Sequence, residues 1–114
     1  MVFFVGASTG SISGNTLVHG TPGIFIETDG VSVTSNRIFG TVIGIAMSGV
    51  SIAAVHSNSI TDSRIGIDFS CFADTNVNSN IITDTRIALD NVPSGVATRN
   101  TYFNVDTIRT GGCP

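Results

Sequence analysis

Two pairs of aspartates stand at matching places in two similar segments and could perform acid–base chemistry. Asp62 and Asp84 each follow a threonine, and Asp68 and Asp90 each come six residues later. If matching residues lie side by side, carboxylates about 5 Å apart favour protonation of one member, as a general acid requires. A separation of that size also suits the two carboxylates of a retaining glycosidase. We therefore treat all four as candidate catalytic residues.

The same aspartates have two other interpretations, a calcium site and a structural ladder. Carboxylate oxygens are the ligands that Ca²⁺ prefers. Arg64 and Arg86, however, each stand two residues after an aspartate, in the turn-forming phrases Thr-Asp-Ser-Arg and Thr-Asp-Thr-Arg. Each aspartate can then be neutralised by an arginine of a neighbouring segment, at roughly 0–1 kcal/mol per exposed contact. The solvated ladder is the interpretation that these turn sequences favour, and no cofactor is required.

His56 is the remaining candidate, as a binding residue together with Arg64 and Arg86. A histidine on an exposed polar face can contact a sugar or relay a proton. No cysteine, histidine or aspartate stands at metal-ligand spacing from it, so no metal site is predicted. The residues at the matching position in other segments are polar too: Ser13, Thr34, Asn78 and Thr98.

These candidates belong to a phrase that repeats along the chain. Its clearest copies span residues 58–69 and 80–91. Five copies begin at asparagines spaced 21, 22, 22 and 20 residues apart, namely Asn15, Asn36, Asn58, Asn80 and Asn100. A period in the low twenties without helical patterning is typical of a β-solenoid. We predict one all-β domain over residues 1–114, a single-stranded parallel β-helix of about five coils of 20–22 residues.

Apolar residues recur at fixed positions of the repeat and alternate with polar ones, as in short strands. Coils stacked about 4.8 Å apart would align these residues in columns that fill the interior. Five such columns are predicted: Ile12, Val33, Val55, Val77 and Ala97; Leu17, Ile38, Ile60, Ile82 and Tyr102; Pro22, Ile43, Ile65 and Ile87; Ile24, Ile45, Ile67 and Leu89; and Ile26, Met47, Phe69 and Asn91.

Two further columns, one of asparagines and one of glycines, are not apolar, so their recurrence needs its own explanation. Stacked amides can donate to and accept from one another, and asparagine tolerates the left-handed backbone of a corner. A buried amide without partners costs roughly 1–3 kcal/mol, so we predict a ladder that satisfies itself. Gly23, Gly44 and Gly66, with Ala88 in the next copy, suggest a tight bend eight residues after each asparagine.

The two cysteines are predicted to be free thiols. Cys71 and Cys113 each stand 13 residues after an asparagine, but in copies two coils apart. Stacking would place their backbones about 10 Å apart, which is too far for a disulfide unless the tail moves.

Composition excludes some functions and leaves the coil ends open. Charged residues make up 11% of the chain, lysine is absent and the net charge is −3, so nucleic-acid binding has little electrostatic support. No apolar run approaches the length of a membrane span. The first and last coils carry no obvious cap, and open solenoid ends template association. We expect a segment of a longer protein, or ends covered by partners in a trimer or other assembly.

The pattern Asn-x-Ile followed by Gly-Ile resembles the right-handed parallel β-helix repeat of the pectate-lyase-like superfamily. That group includes pectin-degrading enzymes, mannuronan epimerases and phage tailspikes. The resemblance implies a right-handed coil, an extracellular or virion-surface location and contact with acidic or surface polysaccharides. It rests on structural residues, so it indicates fold more than activity.

Two functions follow as expectations. The first is a structural or carbohydrate-binding segment of an extracellular or tailspike-like protein. The second is a fragment of a polysaccharide hydrolase, lyase or epimerase that uses the stacked aspartates. The chain has no lysine to act as a lyase base and no tryptophan to stack on sugars, which argues against a complete active site in this stretch.

Overall fold

Alternating β-branched and small polar residues form strands throughout the part of the chain that the structure describes. A computed structural model describes residues 2–4, 10–27, 30–48, 53–71, 76–93, 98–111 and 113. These residues form twelve strands and no helix, because Val, Ile and Thr favour an extended backbone. The strands are β1 (Val2–Phe4), β2 (Gly10–Ser13), β3 (Thr16–Val18), β4 (Ile24–Ile26), β5 (Val31–Thr34), β6 (Arg37–Phe39), β7 (Ile43–Met47), β8 (Ala53–His56), β9 (Ser59–Thr61), β10 (Ile65–Asp68), β11 (Asn76–Asp90) and β12 (Arg99–Arg109).

All strand pairs are parallel and join equivalent positions of successive repeats, which makes the chain a β-solenoid. The first stack contains β2, β5, β8 and the start of β11. The second contains β3, β6, β9 and the middle of β11, and the third contains β1, β4, β7, β10 and the end of β11. β12 pairs along β11 and completes all three stacks. The coil makes about four turns, because the five asparagine levels enclose four intervals.

The predicted apolar columns form the core. Ile67 pairs in register with Ile45 on one side and with Leu89 on the other, and all three are fully buried. Three of the other columns are equally buried in the middle coils, and only their outermost members, Leu17, Tyr102 and Asn91, are partly exposed. The column of Pro22, Ile43, Ile65 and Ile87 is half-buried, so it lies at the margin of the core. The prediction that equivalent residues stack is therefore confirmed; Ala97 lies outside the described residues.

The asparagine ladder is confirmed, but its relation to the corners differs from the prediction. The backbone and side-chain amides of Asn36 both donate to Oδ1 of Asn58 at 3.0 Å, and the same pattern recurs at each interior level. Within the described part of the chain, no buried side-chain nitrogen or oxygen lacks a partner. The left-handed residue is the one before the asparagine, in place of the asparagine itself, at the first four levels: Gly14, Ser35, Ser57 and Ser79.

A second left-handed corner explains the residue type at one candidate position. Its members have φ between 51° and 62°, and they are His19, Gly40, Asp62, Asp84 and Asn104. Glycine adopts this conformation readily because it has no Cβ, and Asn and Asp adopt it because their short polar side chains bond the local backbone. The backbone therefore favours an aspartate at these places whether or not the carboxylate has chemistry to perform.

Substitutions of Asp62 distinguish the contribution of the backbone conformation to stability from the contribution of the carboxylate. Asp62→Gly is expected to change the free energy of unfolding by less than about 0.5 kcal/mol, because glycine adopts φ near 56° freely. Asp62→Val is expected to cost about 2 kcal/mol, because a β-branched residue is strained there. Chemical denaturation measures both, with Thr61→Val in the adjoining strand as the control. Equal losses for the glycine and valine variants would show that the carboxylate itself stabilises the corner.

The glycine column was predicted to form a tight bend, but it instead allows neighbouring coils to pack closely. A Cβ added to Gly44 would lie 2.6 Å from the carbonyl oxygen of Gly66 and 2.9 Å from Cγ2 of Ile60. A Cβ added to Gly66 would lie 2.6 Å from the carbonyl oxygen of Ala88. Neither glycine has a positive φ. The column lets isoleucines of the second stack approach the backbone of the third.

The free-thiol prediction is wrong, because Cys71 and Cys113 form a disulfide with their Cα atoms 5.3 Å apart. The predicted separation assumed that the chain follows the repeat up to Cys113. The backbone of Thr110 still pairs with Leu89 and Val92, but Cys113 has turned back to the level of Asn91. The tail movement that a disulfide requires therefore occurs.

Candidate functional site

An open groove of about 300 Å³ runs along the corner between the second and third stacks. Three consecutive positions of the repeat, four to six residues after each asparagine, supply its lining. We call it the corner groove, and it is lined by Ser63, Asp84, Thr85, Arg86, Asn104 and Asp106. All six side chains are polar, so the groove suits a ligand rich in hydrogen-bonding groups.

Two lining residues of the corner groove, Ser63 and Thr85, belong to a column of buried hydroxyl groups that continues to Thr41 outside the groove. The hydroxyls of Thr41 and Ser63 share a hydrogen bond of 2.7 Å, and the Thr85 hydroxyl donates to the carbonyl of Thr83 at 2.9 Å. Sequence reasoning missed this column. The signal was present, since Thr41, Ser63 and Thr85 all stand five residues after an asparagine.

The walls carry charges of both signs. The Asn104 amide donates to Oδ1 of Asp84 at 2.7 Å, which joins the walls of two successive coils. Arg86 and Asp106 occupy the other wall, and Arg86 is exposed. Asn104 and Asp106 were not among the predicted site residues, because the last copy of the repeat departs most from the others. The groove thus offers donors and acceptors within a few ångströms of each other.

Asp62 and Arg64 lie one coil from Asp84 and Arg86 and outside the groove lining. Both side chains are exposed. In the described part of the chain no ion pair joins either aspartate to either arginine. The aspartates and arginines therefore recur on successive coils without pairing with one another. The side-chain contact that joins two coils at this corner is the hydrogen bond from the Asn104 amide to the Asp84 carboxylate.

The other aspartate pair is brought together by the strand register. Asp68 and Asp90 are direct neighbours on β10 and β11, and both are half-buried. Oδ1 of Asp68 accepts from the Ser70 backbone at 2.9 Å and from the Asn91 amide at 3.1 Å. Asp90 accepts from the hydroxyl of Thr110. These carboxylates therefore stabilise the turn that follows the third stack.

His56 is remote from the other candidates. It is half-buried on β8 in the first stack, paired with Thr34 and Asn78. The candidate residues thus fall on three parts of the coil: His56 on the first stack, the Asp62 and Asp84 corner, and Asp68 with Asp90 on the third stack. The structure does not assemble them into one site.

The described residues show neither a cluster of metal ligands nor a membrane-spanning helix. No group of three His, Cys, Asp or Glu side chains among them converges in a way that could hold a metal ion. The calcium interpretation of the aspartates therefore has no ligand cluster in this part of the chain. Across the same residues, no helix is long and apolar enough to cross a bilayer.

Comparison with known proteins adds no relative. No protein-family model matches the chain, and neither a curated protein nor a solved structure matches it. What can be said of function rests on the geometry of the corner groove and on the solenoid that holds it.

Proposed function

We propose that this chain is a structural β-solenoid module that binds carbohydrate through the corner groove. The observation that carries the proposal is the convergence of six polar side chains along one corner of a rigid coil. Strand pairing and the asparagine ladder fix the backbone on both sides of the groove, so little ordering entropy is lost on binding. A preorganised polar groove is what recognition of hydroxyl groups requires.

The charges of the groove favour a neutral sugar. Asp84 and Asp106 contribute two carboxylates against the single guanidinium of Arg86, and the whole chain has a net charge of −3. A uronate-containing polymer would be repelled by this balance, whereas hydroxyl groups can both donate to carboxylates and accept from the arginine. Phe103, directly before Asn104 in the chain, is 57% exposed and offers an apolar ring at this end of the coil.

The pectate-lyase-like kinship and the location are parts of the same proposal. The parallel solenoid and the Asn-x-Ile and Gly-Ile repeat support kinship with that superfamily, including its tailspike members. The disulfide between Cys71 and Cys113 supports an extracellular or virion-surface location, because disulfides persist in oxidising surroundings. Self-association, through the coil ends or as a trimer, belongs to the same proposal, because an unpaired strand edge templates pairing with another chain.

A second candidate function is polysaccharide cleavage, favoured by the presence of two carboxylates in one groove. Asp84 and Asp106 both line it, and Asp62 lies one coil away from Asp84. Against this function, Asp84 already accepts the Asn104 amide, and Asp68 and Asp90 are engaged at a turn. Binding without turnover is therefore the function that the contacts support best.

The binding proposal is tested by titration with neutral and uronate oligosaccharides in a calorimeter. We expect saturable binding of neutral hexose oligomers, and a loss of about tenfold or more in affinity for Arg86→Ala and Asn104→Gly, because each removes a hydrogen bond to the ligand. Glycine is chosen at residue 104 because φ there is 53°. Arg37→Ala, at an exposed arginine on β6, is the matched control and should bind normally.

The same panel separates the alternatives. Binding that survives both groove variants would remove the corner groove from the proposal, and absence of binding to every sugar would reject carbohydrate recognition. Release of shorter oligosaccharides that stops in Asp84→Asn would replace binding with cleavage.

A further inference from the structure

The tail that follows β12 is fastened at the corner after the third stack. The backbone of Thr110 donates to the carbonyl of Leu89 at 2.9 Å and accepts from the backbone of Val92 at 3.1 Å. The Thr110 hydroxyl accepts from the Asn91 backbone at 3.1 Å and donates to Asp90. Thr110 therefore supplies hydrogen-bond partners to the polar groups at the end of β11. Elsewhere in the solenoid the next coil supplies these partners.

The disulfide ties this tail to an earlier coil. Cys71 and Cys113 are 42 residues apart in sequence, and the level of Asn91 lies between them. The backbone of Cys71 donates to the Asn91 carbonyl at 2.9 Å, and Sγ of Cys113 lies 3.3 Å from the same oxygen. Between Thr110 and Cys113, Gly111 is exposed and has no neighbouring atom within 4 Å of an added Cβ.

We propose that this disulfide is a redox-operated latch that holds the tail over the end of β11. When it is reduced, the tail opens while the coil below stays folded. Opening uncovers the backbone N–H groups of Asn91 and Val92, which donate to Thr110 in the latched form. The latch gives the module one surface in an oxidising compartment and another in a reducing one.

The reduction balances with a small dithiol as the electron donor. One thiolate of the dithiol attacks a sulfur of the Cys71–Cys113 bond and forms a mixed disulfide. The second thiol then displaces the protein sulfur, and the dithiol leaves as a cyclic disulfide. Two electrons and two protons pass to the protein, which ends with two thiols. Both cysteines are half-buried, so a small dithiol can reach them.

The tail is expected to open while the coil stays folded, because the tail makes far fewer hydrogen bonds than an interior coil does. After reduction the tail keeps the hydrogen bonds of Thr110 to Leu89, Asp90, Asn91 and Val92, and the contact of the Cys113 sulfur with the Asn91 carbonyl. Every interior coil, by contrast, keeps two strand neighbours and the asparagine ladder. Segments with few contacts and a flexible glycine open locally, without global unfolding.

The test is amide hydrogen exchange followed by NMR on the oxidised protein and on the protein reduced with dithiothreitol. We expect exchange at Val92 and Thr110 to accelerate by about 100-fold on reduction, since the tail opens. Exchange at Asn58 and Ile82, in the middle of the coil, should change by less than about threefold. Cys113→Ser should exchange rapidly at Val92 without any reductant.

Each other outcome overturns the latch. Protection at Val92 that survives reduction would show that hydrogen bonds alone hold the tail. Loss of protection at Asn58 as well would show that the disulfide supports the whole coil. The double variant Cys71→Ser with Cys113→Ser controls for direct effects of the dithiol, and its exchange should not respond to dithiothreitol.

Discussion

Replacing Asn58 by aspartate is expected to lower the free energy of unfolding by about 5 kcal/mol, enough to unfold a domain of ordinary stability. Asn58 is 1% exposed, and its side-chain nitrogen lies 2.9 Å from the carbonyl of Val33, 3.1 Å from that of His56 and 2.9 Å from Oδ1 of Asn80. A carboxylate there would face three oxygens with no hydrogen to offer. The buried charge and the three deprived acceptors all oppose folding.

The matched control is the same substitution at an exposed asparagine. Asn76 accepts a hydrogen bond from the amide of Asn78 through its own side-chain oxygen, which an aspartate keeps. Asn76→Asp should therefore change stability by less than about 0.5 kcal/mol. Urea denaturation followed by circular dichroism compares both variants with the parent chain. If Asn58→Asp were as stable as the control, the ladder would not contribute to folding.

Gly66→Val is expected to destabilise the solenoid by about 4 kcal/mol or more, for a steric reason. The added Cβ would lie 2.6 Å from the carbonyl oxygen of Ala88 and 3.2 Å from Cγ2 of Ile82. The carbonyl cannot retreat, because the flanking residues of β11 pair in register with β10 on one side. Two adjacent coils would have to separate, and the strand pairing between them would weaken.

Gly111→Val provides the comparison, because Gly111 has no atom within 4 Å of an added Cβ and no positive φ. That variant should unfold at the parent denaturant midpoint, while Gly66→Val should unfold at a much lower one or fail to fold. A Gly66 variant with the parent midpoint would mean that the coils can move apart at little cost, and that close packing does not explain the glycine column.

The apolar columns were predictable because each column is indicated by several copies of the repeat. An isoleucine two residues after Asn36, Asn58 and Asn80 repeats one environment in three coils, so a chance match at one level does not mislead. The asparagine ladder was predictable for the same reason, since an amide can satisfy itself only by stacking. The left-handed residue at this corner was predicted one position too late in the chain, because serine gives no strong indication of a left-handed backbone.

The disulfide and the corner groove were not predictable from the repeat. The tail departs from the period after Thr110, and periodicity says nothing about a segment that has left it. The groove depends on Thr85 pointing inward between Asp84 and Arg86, which a turn-like phrase such as Thr-Asp-Thr-Arg does not indicate. Two of its lining residues, Asn104 and Asp106, also belong to the most divergent copy.

The asparagine ladder has a direction. At every level the amide nitrogens of one asparagine donate to the oxygen of the asparagine that follows it in the chain, and never the reverse. The amide dipoles therefore add along the axis, and the two faces of each coil differ in hydrogen-bonding character. A coil turned upside down could not enter this column. Loops differ by a residue or two between coils, as the spacings of 20 to 22 residues show, but the ladder itself gains or loses a level only as a whole coil in the same orientation.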